Sequence, residues 1–332
     1  MNEELACDAA AIPYSAVYDG KGGAKLLGTH IPERLNKGDA FFWQNLDYKD
    51  PDTFEMLIND YQIARDVAEA LCDESTRPRY FRYGDGVVLI LRAINHNPGC
   101  DPEDMVSVRV WVDKEKIITL SHRRLKIINT MRQMIDKKNN PRTPMQFFLT
   151  LAQNMADGIN DTVIDITEAT ADFEEKVLDS NTLGNFHLRD EISDLRRRII
   201  SIRRYTAPQK EIFMSLQNEK WDVLTTEDRN DIREIYNDIT KVVEDLDYCR
   251  DHLTVFQEEL QSMTSISMTK IMYMISLVTV IFTPLTMLTG LLGMNVEGIP
   301  YAGREYAFAA VCLIMAIIAS IVIFLLKKLK WL

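Results

Sequence analysis

Ser276, Thr279, Thr283, Thr286 and Gly290 recur three or four positions apart inside a segment otherwise built from Ile, Leu, Met and Val, and Gly293 continues the spacing. Residues three and four apart share a helix face, so these small and hydroxylated positions form one stripe. Two kinds of chemistry fit it. Small and hydroxyl residues let helices pack closely in lipid. Alternatively the stripe borders water in a channel, where hydroxyl and carbonyl oxygens face a hydrated ion. One hairpin cannot enclose a pore, so the second reading requires several chains. Pro284 in mid-segment removes one amide donor, which in lipid demands compensation from a neighbour, a hydroxyl or water. With Thr283 beside it, a kink or local unwinding is expected.

The elements that must position this stripe are long. Residues 271–292 and 306–326 are apolar stretches of 22 and 21 residues, joined by a loop over 293–305 that begins Gly293-Met294-Asn295. A helix needs about 20 apolar residues to cross a ~30 Å hydrocarbon core, so each can span once. The second has only Cys312 and Ser320 as mildly polar residues and reads as the lipid-facing partner. The mean hydropathy of −0.14 hides this concentration of apolar residues at one end. Charge separates in the same way. Residues 271–332 carry Arg304, Lys327, Lys328 and Lys330 against Glu297 and Glu305, whereas the whole chain is −11, so residues 1–270 carry −13. An acidic soluble part argues against nucleic acid as a partner and suits attraction of cations. Lys270 precedes the first span and three lysines follow the second. Positive flanks favour the cytoplasm, so both termini are expected there, in a multi-pass protein whose partners include membrane lipid. The sequence opening Met1-Asn2-Glu3-Glu4-Leu5 has neither a basic nor an apolar leader region, so no cleavable signal is expected. The five cysteines are dispersed and form no C-x-x-C, which suggests no disulfide framework and no thiolate zinc site.

Residues 1–144 read as an α/β cytoplasmic domain. The run 106–112 alternates at period two, the pattern of a half-buried strand. Residues 80–94 form a hairpin turning at Gly84-Asp85-Gly86. Segments 16–18, 41–46 and 117–120 are weaker strand candidates, and 54–71 is read as one helix. Residues 145–270 are helical: an amphipathic segment over 145–180, another over 188–205 ending before Pro208, a short one, and then a long stalk. From Ile232 through Ile235, Ile239, Val242, Leu246, Cys249, Leu253, Phe256, Leu260 and Met263 the apolar steps alternate three and four, which is a heptad seam. No Gly or Pro interrupts the chain between the seam and the first span. One continuous helix from about 228 to 292 is therefore expected, roughly 100 Å long at 1.5 Å per residue. The seam is expected to pack beside copies of itself, with packing on its own domain as the alternative. Residues 271–332 form the transmembrane domain.

Other candidate sites are thin. His30, His96, His122, His187 and His252 show no H-x₃-H or H-E-x-x-H spacing, and a dehydrated zinc site normally wants nitrogen or sulfur donors. Their absence from the span favours passage of a largely hydrated ion. Asp245, Asp247, Asp251, Glu258 and Glu259 lie along the stalk, where solvated helix face is the default reading and attraction of cations in a vestibule the functional one. Glu297 and Glu305 in the loop are weighed the same way. No phosphate-cradling Gly loop, G-x-S-x-G or metalloprotease helix occurs. The chain is read as no enzyme, with no cofactor and no direct ATP coupling, so energy must come from ion gradients or the membrane potential.

The stretch FTPLTMLTGLLGMN, residues 282–295, resembles the first span and signature loop of CorA-type divalent metal ion transporters, whose hallmark is Gly-Met-Asn directly after that span. The resemblance extends over the whole chain. It is closest to the bacterial zinc-transporting (ZntB-like) branch, through Glu74-Ser75-Thr76-Arg77-Pro78-Arg79, Arg203-Arg204-Tyr205-Thr206-Ala207-Pro208-Gln209 and Lys330-Trp331-Leu332. It implies a funnel-shaped homopentamer whose long helix lines a vestibule and then the pore, carrying a divalent cation. Asn295 would ring the outer mouth beside Gly293 and Met294. Thr286, Thr283 and Thr279 would follow inward, Met272 would lie near the cytoplasmic constriction, and Glu258 would stand near the inner pore mouth. Thr283 stands where some magnesium-transporting relatives place Met, and Met294 where zinc-branch members often carry another aliphatic residue, so the motif leaves zinc, magnesium, cobalt and nickel open. Uptake driven by the membrane potential, with proton linkage as an addition, is the expected direction, against efflux as the alternative. A membrane-tethered sensor or scaffold is the reading from a different class.

Overall fold

The computed structural model describes residues 13–28, 39–74, 77–135, 140–179, 186–221, 223–294 and 304–329. Its strands are β1 (Tyr14–Tyr18), β2 (Ala24–Gly28), β3 (Phe41–Leu46), β4 (Arg79–Tyr83), β5 (Gly86–Ala93), β6 (Val106–Val112) and β7 (Lys116–Leu120). The helices are α1 (Thr53–Asn59), α2 (Arg65–Cys72), α3 (Lys126–Met134), α4 (Pro144–Asp179), α5 (Phe186–Asn218), α6 (Thr226–Leu292) and α7 (Ala307–Lys328). Contacts gather them into two units, one up to Gln257 and one from Glu258 onward.

The first unit is built on a seven-stranded sheet of order β2-β1-β3-β7-β6-β5-β4. All neighbours are antiparallel except β3 and β7, which run parallel with Phe42 opposite Lys116 and Leu46 opposite Leu120. One face of the sheet shares a core with α3, α4, α5 and the start of α6. The other is covered by α1 and α2. The hairpin turns as read, with Tyr83 opposite Gly86 and Gly84 at φ +57°, a left-handed conformation that glycine adopts without strain.

Several expectations are corrected. Strand β6 is not half-buried, because every one of its residues is enclosed. Its alternate positions, Ser107, Arg109 and Trp111, face the second helical layer, and Arg109 lies fully buried there with its guanidinium donating to Leu71 O and stacked 3.5 Å from the Tyr48 ring. The segment 54–71 is two helices. Gln62 takes φ +53°, and Ile63 N bonds back to Leu57 O at 2.9 Å. That bond reaches back six residues, wider than a helical turn, and with both residues buried it folds the chain out of the helix at Gln62. Helix α5 runs through Pro208 to Asn218, so no separate short helix follows. Pro208 leaves the Arg204 carbonyl without its helical amide, yet packing holds the helix through this turn: Thr206 is buried with its hydroxyl donating to Ile202 O, and the buried Gln209 side chain accepts from the Arg92 amide of β5. Cys100 is disulfide-bonded, against the expectation of no disulfide.

The largest correction concerns the seam. Helix α6 is one 67-residue helix, as expected, but Ile232, Ile235, Ile239, Val242, Leu246, Cys249 and Leu253 are all at most 3% exposed within the single chain. They are closed off by α4 and α5. Thr167 Oγ1 reaches Cys249 Sγ at 3.6 Å, Gln153 donates to Asp238, Arg196 donates to Gln257, and Arg203 grips Asp247 with two bonds of 2.6 and 3.0 Å. The seam is an intrachain three-helix core and is not available to copies of the chain.

Candidate functional site

The second unit contains the C-terminal part of α6 and helix α7, both long and apolar enough to cross a membrane. Within residues 271–292 of α6 the partly covered residues are Leu277, Ile281, Pro284, Leu285 and Leu288. Ser276, Thr279, Thr283, Thr286 and Gly290 are all exposed. At 3.6 residues per turn, the covered stripe is centred about 180° from the hydroxyl stripe. The hydroxyl face is therefore the face that the chain's own contacts leave bare. Met272, on the same face, is 69% exposed. Gly293 and Met294 follow at the helix end, where Gly293 N bonds Thr289 O at 2.9 Å. A Cβ on Gly290 would meet nothing within 4 Å, so its lack of a side chain is not required by packing within one chain.

The hydroxyls are oriented by the helix itself. Thr279 donates to Ile275 O at 2.8 Å and Thr283 to Thr279 O at 2.7 Å. A hydroxyl has one proton to donate and two lone pairs. With the proton used inside the helix, the lone pairs are left outward, ready to accept from the water shell of a cation. Helix α6 continues unbroken past Pro284, so local unwinding does not occur. Nor does Thr283 supply the missing donor, since it bonds Thr279 O rather than the Val280 carbonyl that Pro284 leaves without its helical amide.

Sequence reasoning missed the length of this face. The three-four spacing extends backward without a slip through Met272, Thr269, Ser265, Ser262, Glu258, Val255, Asp251, Tyr248, Glu244 and Lys241, and every one of these is exposed. The signal was present in the spacing, but the apolar seam on the opposite face masked it. Glu258 is thus on the bare face. Asp251 is too, with its carboxylate held 2.8 Å from Arg250. Asp247 is not a vestibule group. Arg203 and Arg250 both pair with it, and the Arg203 hydrogen bonds hold its carboxyl below the ordinary range. His122 bonds Asp47 at 3.1 Å and His187 bonds Glu191 at 2.9 Å. Among the described residues no three His, Cys, Asp or Glu side chains gather as a metal set. Asn295, Glu297, His30, Ser75, Thr76 and the terminal Lys330-Trp331-Leu332 lie outside the described residues.

An α/β unit, a 67-residue helix with an apolar membrane-length end and a second apolar helix are the features of a two-span membrane protein. Residues 38–328 match the family described as CorA-like Mg2+ transporter protein, and the chain belongs to it. Family members are transporters of divalent metal cations rather than enzymes. The chain is 30% identical over 319 residues to the zinc transport protein ZntB of Yersinia enterocolitica, covering 96% of this chain and 95% of the relative. It is also 30% identical over 328 residues to the divalent cation transporter CmaX of Pseudomonas aeruginosa, covering 98% of each. The structure of full-length CmaX superposes with a TM-score of 0.84 at 29% identity, over 98% of this chain and 99% of that one. The complete CorA magnesium transporter of Methanocaldococcus jannaschii shares the fold, with a TM-score of 0.80 at 18% identity over 97% of this chain and 99% of that one.

Proposed function

We propose that the protein forms a homopentameric, funnel-shaped pathway for zinc in the bacterial inner membrane, with the bare face of α6 turned to a shared axis. The observation that carries this reading is the unbroken exposed stripe, set half a turn from the covered one and leading to Gly293-Met294-Asn295. A single chain leaves a row of hydroxyl oxygens uncovered on a helix that must cross lipid. Several copies around water give those oxygens a partner. The path has no Asp, Glu, His, Cys, Lys or Arg side chain between Lys270 and Glu297, which favours passage of a largely hydrated ion. Met294 and Asn295 form the outer mouth, Thr286, Thr283, Thr279 and Ser276 the middle, and Met272 the inner constriction, while Asp251 and Glu258 attract cations from the cytoplasmic side.

Zinc is favoured because the ZntB relatives match nearly the whole chain; magnesium is the alternative cargo, suggested by the family description. Uptake follows from the potential. About 2.3 kcal/mol per elementary charge per 100 mV gives about 4.6 kcal/mol for a divalent ion. That corresponds to a ratio above about 10³ at 1.4 kcal/mol per decade, inward when the inside is negative. The test is metal flux into proteoliposomes of the purified protein, zinc against magnesium, with and without an imposed potential. Zinc entry that grows with inside-negative potential and disappears in Asn295→Leu supports the reading. Flux unaffected by that substitution, or zinc moving only outward at any potential, would overturn it.

A further inference from the structure

Strands β3 and β7 are the parallel pair of the sheet, and in open α/β sheets ligands bind in the crevice beyond the carboxyl ends of parallel strands. Beyond those ends lies a cavity of about 480 Å³ lined by Tyr48, Lys49, Arg92, Met105, Val106, Ser107, His122 and Arg123. Tyr48 and Lys49 leave β3, His122 and Arg123 leave β7, Arg92 ends β5, and Val106 and Ser107 open β6. Three permanent cations and an imidazole thus meet at one end of the sheet.

Arg92 is held rigidly. It is 8% exposed, donates to Met105 O, and its guanidinium lies 4.5 Å from the Tyr205 ring, while Gln209 fixes its amide. Both residues belong to Arg203-Arg204-Tyr205-Thr206-Ala207-Pro208-Gln209, a segment the transport path does not use. Behind the Tyr48 wall, the buried Arg109 stacks on the same ring and leaves one guanidinium nitrogen without a hydrogen-bond partner among the described residues. Burial lowers the pKa of both arginines, and each is lowered further by a neighbouring arginine. Carboxylates also stand beside this lining: Asp47 pairs with His122 and accepts from the Lys49 amide, Asp50 accepts from the Asp52 amide, Asp104 is exposed next to Met105, and Glu103 pairs with Arg198.

We propose that this cavity binds the phosphate group of a small anion, either free phosphate or a phosphate monoester of nucleotide size. Guanidinium forks match the oxygens of a tetrahedral oxyanion. A doubly charged group answers several cations where a carboxylate answers one. The volume lies within the range of small-molecule sites and leaves room for an organic group beyond the phosphate. The site lies wholly within the first unit, so it stands or falls apart from the conduction path.

The experiment is calorimetric titration of the full-length protein in detergent with inorganic phosphate and, separately, with AMP, at two salt concentrations. Lys49 is exposed and Arg123 half-buried, so Lys49→Ala/Arg123→Ala tests the site without opening the core. Saturable binding that weakens with salt, and weakens about tenfold or more in the double variant, is the expected result. AMP tighter than phosphate identifies a monoester; equal or tighter phosphate identifies the free ion. Absence of saturable binding by either probe, or binding unchanged in a double variant with wild-type circular dichroism, would overturn the proposal.

Discussion

From Ile232 to Leu260 one face of α6 is closed by the chain's own helices, while the opposite face bears Tyr248 at 56% and Val255 at 57% exposure. Both faces carry three-four spacing, and in the span a weaker form of the division recurs, with Leu277, Ile281 and Leu288 partly covered and Thr279, Thr283 and Thr286 bare. The difference lies in residue type. Leu, Ile and Val close against a neighbour by burying area, at about 25 cal/mol per Å². Ser, Thr, Gly and a few charged or aromatic groups leave a surface that a second chain or water can meet. Periodicity identifies a helix with a preferred face; side-chain chemistry decides whether that face is filled from within the chain.

The strongest way to break the comparison is to place a charge on the closed face. Leu246 is fully buried, and Leu246→Asp loses its packing and buries an unpaired carboxylate. Costs of about 3–5 kcal/mol for such a charge approach the whole stability of a domain. The variant should fail to yield folded protein by size-exclusion chromatography and circular dichroism, whereas Leu246→Met should cost less than about 1.5 kcal/mol. Wild-type stability in Leu246→Asp would mean that the seam is not a core.

The bare face should answer differently. Thr283→Leu introduces a good helix former but removes the outward oxygen and adds apolar bulk. The expected outcome is a roughly tenfold or greater loss of zinc flux in liposomes with the thermal midpoint and oligomer size unchanged. If the stripe were instead a tight helix-packing surface in lipid, the larger side chain would overpack it and lower stability by about 1–3 kcal/mol. Flux and stability measured on one sample therefore separate the two readings that the spacing alone leaves open.

What was legible before the structure follows the same logic. Strand β6 was placed residue for residue and α6 to within about two residues at its start, because a long regular pattern leaves few alternatives. The burial of Arg109 was not legible, since the carbonyl of Leu71 and the ring of Tyr48 that accommodate it come from distant sequence. Nor was the break at Gln62, where a single left-handed residue outweighs good helix formers on either side. Strand β2 escaped notice as a short sheet-edge strand with three of its five residues exposed. The seam's partner was misassigned for a related reason: a heptad pattern states that something packs there, while α4 and α5 carry equally good apolar faces that claim the place first. Pro208 misled because packing holds α5 together on either side of it, through the buried Thr206 and through Gln209, which binds a strand residue more than a hundred positions away.

The smallest expected effect tests the polar border between the two faces. Asp247 sits beside the seam residue Leu246, on the side held by Arg203. Its folded-state pKa is lowered, chiefly by the Arg203 hydrogen bonds and then by the charges of Arg203 and Arg250. A lowered carboxylate pKa contributes stability above the unfolded value, near 3.9, and loses it as pH falls through the folded value below that. Asp247→Asn should therefore leave the thermal midpoint almost unchanged in its dependence on pH between 6 and 8, and flatten the decline on acidification below about pH 4. The pair is one-third exposed, so salt should shrink the difference between variant and wild type. An acid decline of equal steepness in both proteins would show that the Arg203–Asp247 contact does not bind α5 to α6, and that apolar burial alone holds the closed face shut.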